Sequence, residues 1–171
     1  MLINIQGINH KIYLIFFLVF SVFISYGLAN DGLEIEIDSP KFSEKGLDNR
    51  LYEIKANRGI QKGDELTLYN VEGKLRTDTG IWIYLKSDQG FFNQSTNVIE
   101  LQNNITFYTE ENDRFESEYA VFNVNGEMIE FDNNIRHIKE NSLISANKSR
   151  VKDDFNHIIY EGNVHTLYKS N

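Results

Sequence analysis

Four histidines and a scatter of carboxylates are the side chains of this sequence that could move protons or hold a metal. None of His10, His137, His157 and His165 has the spacing of a helical HExxH or a comparable ligand motif, so a metal site is not expected. His157 and His165 fall in one strand-like repeat and His137 at the end of the one before, which reads as strand surface or rim. Asp153 and Asp154 occupy a turn, and Glu110 and Glu111 with Asp113 read as a solvated loop. A glycosidase would need one carboxylic acid and one carboxylate partner, and nothing singles out such a pair. There is no GxSxG elbow, no P-loop and no Gly-rich dinucleotide fingerprint. With no cysteine in 171 residues, disulfides, thiolate nucleophiles and Cys-ligated metals are excluded. No catalytic residue and no cofactor is therefore expected.

Charge narrows the binding classes. Seventeen Lys and Arg face 25 Asp and Glu, a formal net charge of -8. A protein that tracks nucleic-acid phosphates needs the opposite balance, so a nucleic-acid role is improbable. Residues 12–30 carry no charge and begin IYLIFFLVFSVFI, about the length that crosses a bilayer as a helix. Lys11 precedes the run and Asp31, Glu34, Glu36 and Asp38 follow it. By the positive-inside rule, residues 1–11 stay in the cytoplasm, 12–30 form a single-pass anchor, and 31–171 lie on the outer side of the inner membrane. The small residues of 27–29 (GLA) also suit a secretory signal peptide, in which case the domain would be released. A retained anchor is the expectation; Tyr26 and the length of the apolar run favour it.

Past Leu33, β-branched and aromatic residues alternate with polar ones and no helical period is sustained, which reads as all-β. Self-comparison finds a repeat. Residues 99–107 (IELQNNITF) recur as 129–137 (IEFDNNIRH) and 158–166 (IIYEGNVHT), with an earlier degenerate copy at 66–75, a period of roughly 30 residues. Each unit has a first half at 52–56, 84–87, 115–117 or 143–146, so each repeat is two strands joined by a turn. The turns at 62–64, 93–97, 123–126 and 152–154 are rich in Gly, Asn, Asp and Ser, which accept positive φ or bond their own backbone. Pro40, at the start of the domain, suits an edge, where a missing donor costs little.

Alternation then assigns faces. Ile99, Leu101, Ile105 and Phe107 share one side of their strand, opposite Glu100, Gln102 and Thr106. Ile129, Phe131 and Ile135 repeat the pattern, and Ile54, Leu85, Tyr119 and Val121 are expected to extend the same apolar face. Stacked repeats bury these faces against one another as a rolled sheet or a solenoid, with open edges at both ends. The last repeat is expected to leave one such edge, marked by Ile158, Tyr160, Gly162, Val164, Thr166 and Tyr168, and neither Pro nor Lys blunts it.

The anchor, the SPKF start at 39–42, YEIKA at 52–56, GFF at 90–92 and the repeated Asn-Asn-Ile or Gly-Asn-Val unit together resemble the LptC family, bitopic components of lipopolysaccharide export. The resemblance spans nearly the whole chain. It implies a rolled β-jellyroll of the OstA-like repeat class whose interior carries the acyl chains of lipopolysaccharide. It also implies two protein partners: the jellyroll domains of an inner-membrane ABC transporter, which deliver the lipid, and a soluble LptA-like bridge protein, which receives it by edge-to-edge alignment. The sequence suits that cargo, since each methylene removed from water is worth about 0.8 kcal/mol while an acidic domain leaves a phosphorylated headgroup outside. Two alternatives stay open. One is the soluble LptA-like relative with a cleaved signal. The other is a carbohydrate-binding β-solenoid, hinted at by Trp82 and Tyr84.

Overall fold

The alternating pattern builds antiparallel strands throughout the computed structural model, which describes residues 33–45, 51–77, 80–111, 113–123, 128–152 and 155–169. The segment 12–30, expected as an anchor, lies outside the described residues. Twelve strands are described: Glu34–Asp38 (β1), Lys41–Lys45 (β2), Leu51–Lys55 (β3), Arg58–Lys62 (β4), Glu65–Arg76 (β5), Trp82–Asn93 (β6), Val98–Thr109 (β7), Arg114–Asn123 (β8), Met128–Lys139 (β9), Ser142–Lys152 (β10), His157–Glu161 (β11) and His165–Tyr168 (β12). Strands β7 and β9 contain the two clearest copies of the repeat, β5 the degenerate one, and β6, β8 and β10 contain first halves. All pair antiparallel in one sheet that does not close.

A crease runs across this sheet. In β7 and β9 the repeated Asn pair takes left-handed backbone angles, with φ of 64° and 50° at Asn103 and Asn104 and 66° and 57° at Asn133 and Asn134. Asn70 of β5 does the same at 54°. Opposite them the register shifts between Lys86 and Gln89 of β6, between Glu116 and Tyr119 of β8 and between Ala146 and Lys148 of β10. Ser87 and Ser117 each donate a hydroxyl hydrogen bond to the carbonyl two residues on, at 2.9 and 3.2 Å, holding the bend in β6 and β8. The short strands are broken on the same line: β1 from β2 at Ser39 and Pro40, β3 from β4 at Ala56 and Asn57, and β11 from β12 at Gly162 and Asn163. Backbone bonds continue through the break, as Ala56 N donates to Pro40 O and Asn57 N to Tyr69 O, both at 3.0 Å. Pro40 is buried there, and Gly59 makes room for it, because a Cβ on Gly59 would stand 3.2 Å from Pro40 Cγ.

The crease divides the sheet into two arms that face each other. Arm one holds β1, β4, β11 and the adjoining halves of β5 to β10; arm two holds β2, β3, β12 and the other halves. A flat β7 would hold Ile99 and Phe107 roughly 26 Å apart at about 3.3 Å per residue. Yet Phe122, the register partner of Ile99, has its ring centroid 6.5 Å from that of Phe107. The sheet is thus doubled over, and the core lies between the arms. Leu66, Leu101, Ile105, Phe115, Phe131, Ile135 and Val151 are the largest of its fully buried apolar side chains. The outer surface is laced by ion pairs such as Lys55 and Lys86 on Glu72, and Arg114 and Arg136 on Glu116. Exposed pairs of this kind add little stability and keep that face wet.

The Asn pairs are therefore bend-forming residues rather than surface decoration. Asn is the non-Gly residue that best tolerates the left-handed region, where a β-branched side chain clashes with its own carbonyl. Asn133→Val is expected to lower stability by about 1–2 kcal/mol, whereas Asn133→Gly should stay within about 0.5 kcal/mol of the parent. The midpoint of urea unfolding checks both; equal midpoints for the two variants would mean that the crease is not set at this residue.

Candidate functional site

The inner faces of the two arms form the candidate site. Each arm exposes one side of its strands to the other, and alternation decides which side chains enter the space between. Of the residues expected there, Leu85, Ile99, Leu101, Ile105, Phe107, Phe131 and Ile135 are buried in the shared core, and Ile54 and Ile129 are half-buried against it. Two are not. Tyr119 and Val121 point outward, because the register shifts after Glu116, where three steps of β8 face four of β9, and the inward parity of Phe115 and Ser117 passes beyond it to Ala120 and Phe122. Val121 stands in register between Glu100 and Glu130. The Tyr119 phenol is raised above its usual value by partial burial and by the carboxylate of Glu100 beside it.

Aromatic rings the sequence did not single out close the space. Phe115 lies 5.4 Å from Phe131 and 4.0 Å from the imidazole of His137, stacked on both. Phe155, in the turn between β10 and β11, reaches from arm one to Phe107 at 6.4 Å and Phe115 at 5.6 Å. Phe115 begins a recognised repeat half, so its alternation was available; Phe155 follows two aspartates in a turn and carries no local signal of burial. Among the described residues, the one buried side-chain polar atom without a partner is Ser149 Oγ, in register between Phe131 and Tyr160.

His137 and Asp113 also differ from expectation. His137 is 4% exposed rather than on a rim, and Asp113 is drawn out of its loop to meet it, with Oδ1 2.5 Å from His137 Nε2 and Oδ2 3.0 Å from Lys139 Nζ. Burial alone would push the Asp113 carboxyl up, but hydrogen bonds from His137 and Lys139 and their charges outweigh it and hold it below the usual carboxylate range. The other ring nitrogen, Nδ1, meets the hydroxyl of Tyr160 on β11. Because His137 stands on arm two and Tyr160 on arm one, this polar bridge spans the interior. By contrast His157 and His165 are exposed, as expected of strand surface.

The far edge of the sheet is open. Among the described residues, strands β11 and β12 pair with β10 alone. Of the six residues expected to mark this edge, Ile158 and Tyr160 direct their side chains inward, and Gly162 and Val164 fall in the break between the two strands. A one-residue register shift there, from Glu161 opposite Lys148 to His165 opposite Ser145, changes which backbone groups face out. Thr166 and Tyr168 remain on the edge, and Tyr168 is 78% exposed. On the outer surface, Tyr84 stacks on Tyr108 at 5.2 Å and Trp82 is faced by Lys74 and Arg76, so the aromatic faces that hinted at sugar binding are engaged within the chain.

No protein-family model matches this chain. It is similar to the uncharacterized protein RP506 of Rickettsia prowazekii (strain Madrid E), 28% identical over 119 residues, which cover 68% of this chain and 58% of that protein. The match thus spans less than two thirds of the relative's length.

Proposed function

We propose that the chain is a non-enzymatic lipid carrier of the LptC type, a rolled β-jellyroll tethered to the inner membrane by residues 12–30. In this reading it accepts lipopolysaccharide from the jellyroll domains of an ABC transporter and passes it to a soluble LptA-like bridge protein. One observation carries it: a single antiparallel sheet is doubled over an apolar interior while its last strands keep an edge that no strand of the described residues pairs. An apolar space continuous with an open edge suits acyl chains that move from one such domain to the next. The side chains now filling the interior occupy the place the chains would take, so loading requires the arms to part.

The test is photo-crosslinking from adjacent positions on opposite faces. Phe122 points into the interior and Val121 away from it. A photoreactive phenylalanine at 122 should crosslink to purified lipopolysaccharide, and the same residue at 121 should not. Crosslinking from 121 alone, or from neither, would remove the interior as the lipid site.

A further inference from the structure

A buried polar bridge between Tyr160 and His137 links the two arms. Its chemistry can be written out. The Asp113 carboxylate, held ionised, can only accept, so His137 Nε2 carries a proton toward it across 2.5 Å. Nδ1 meets the Tyr160 hydroxyl, and which of the two donates follows the protonation of the ring. Burial, with the negative charge of Asp113 adding to it, pushes the Tyr160 phenol well above its usual range, which keeps the hydroxyl protonated. Lys139 secures the second oxygen of Asp113 at 3.0 Å. Around this chain of contacts, Phe115 stacks on both His137 and Tyr160, and Phe155 folds over Phe115 from the adjacent turn.

The position of the bridge is what gives it meaning. Tyr160 belongs to the outermost strand of arm one, where no further strand of the described residues supports it. His137 belongs to β9, two strands in from the edge on arm two. At this end of the sheet the Tyr160–His137–Asp113 bridge and the Phe155 ring link the arms, beside the apolar packing of Ile158 on the core. Further from the edge they are held by the packed core.

We propose that Tyr160, His137 and Asp113 form a clasp that keeps the two arms shut at the open edge and releases to give access to the interior. This deepens the lipid-carrier reading and rests on it for the nature of what enters. The clasp itself is a property of the empty protein. Tyr160 and His137 are positioning residues: they touch each other, and they act on the cargo only by setting the gap between the arms.

The full chain has no cysteine, so two spin labels can be placed uniquely. Cysteines at the exposed positions Glu140, at the tip of arm two, and Lys152, at the tip of arm one, report the gap by pulsed electron resonance. In the parent one narrow distance is expected. Tyr160→Phe keeps the ring and removes the hydroxyl, and His137→Phe keeps the stacking on Phe115 and removes both ring nitrogens. Each should add a longer, broader population, and the double variant should go no further than either single one. Tyr108→Phe, on the outer surface, should change nothing. Unchanged distances in both single variants would overturn the clasp, as would loss of the strand signal in circular dichroism, which would make the bridge a folding requirement. Uptake of fluorescent lipopolysaccharide is then followed on the same proteins, with an association rate several-fold faster expected for Tyr160→Phe. A widened gap with no uptake by any of the proteins would leave the clasp standing and sink the lipid-carrier reading.

Discussion

Leu101→Asp is expected to abolish cooperative folding. Leu101 is 1% exposed and lies in register between Gly90 and Ala120, two positions without a side chain that could meet a carboxylate. The fit is close: a Cβ placed on Gly90 would stand 3.3 Å from Leu101 Cδ2 and 3.1 Å from Val71 Cγ2. Loss of the buried leucine costs about 2–5 kcal/mol in transfer and cavity terms. The aspartate adds several kcal/mol more, as an unpaired charge or as the work of protonating it near neutral pH. Their sum reaches the whole stability of an ordinary domain, about 5–15 kcal/mol. Thermal melting by circular dichroism should therefore show no transition. Gln102→Asp, one residue on and facing outward, should melt within a few degrees of the parent, since surface changes lie within about 0.5 kcal/mol. A cooperative melt for Leu101→Asp near that of the parent would mean that water already fills the space between the arms, and the dry interior would have to be given up.

Proline on the outer side of the last strands is expected to abolish binding of a soluble LptA-like partner without unfolding the domain. Register decides where it must go. Lys169 N donates to Asn141 O at 2.8 Å, and hydrogen-bonded pairs alternate along an antiparallel ladder, so Leu167 and His165 bond to β10 while Thr166 turns its N–H to the open edge. In the same way Asn147 N donates to Gly162 O at 2.9 Å, which places the backbone groups of Tyr160 and Ile158 toward β10 and those of Ile159 and Glu161 outward. Thr166→Pro and Ile159→Pro each delete one outward donor and no bond to β10. A partner that adds a strand here depends on those donors, since main-chain hydrogen bonds supply the affinity of strand addition. Co-purification should fall below detection in the double variant, with the melt lowered by only a few degrees. Val164 lies in the break between β11 and β12, so a proline there would not address the edge. Unchanged binding by the folded double variant would exclude this edge as the junction.

Much of the architecture was legible in the chain. Alternation of Ile99, Leu101, Ile105 and Phe107 with polar residues named both the strand and its buried face, because side-chain direction in a strand is a local property with a period of two. The repeat gave the strand count per unit, and the glycine and asparagine turns at 62–64 and 93–97 fell where reversal needs positive φ or a side-chain acceptor, as when Asn93 Oδ1 takes the Thr96 N–H at 3.0 Å. The Asn-Asn element was visible too, but only as a recurring string. That it bends the strand is a matter of backbone angles, which the pair of letters does not state.

What only the tertiary structure decided has one physical source: it depends on which strand stands beside or across from which. The outward turn of Tyr119 and Val121 follows from the register of β8 against β9, where three steps of β8 face four of β9 and the inward parity of β8 reverses. The break between β11 and β12 changes the outward backbone groups for the same reason. His137 and Tyr160 are 23 residues apart and meet because the sheet doubles over, bringing an imidazole from one arm to a hydroxyl on the other. Alternation places a side chain on one face of its own strand; it does not say what the opposite arm will bring to meet it.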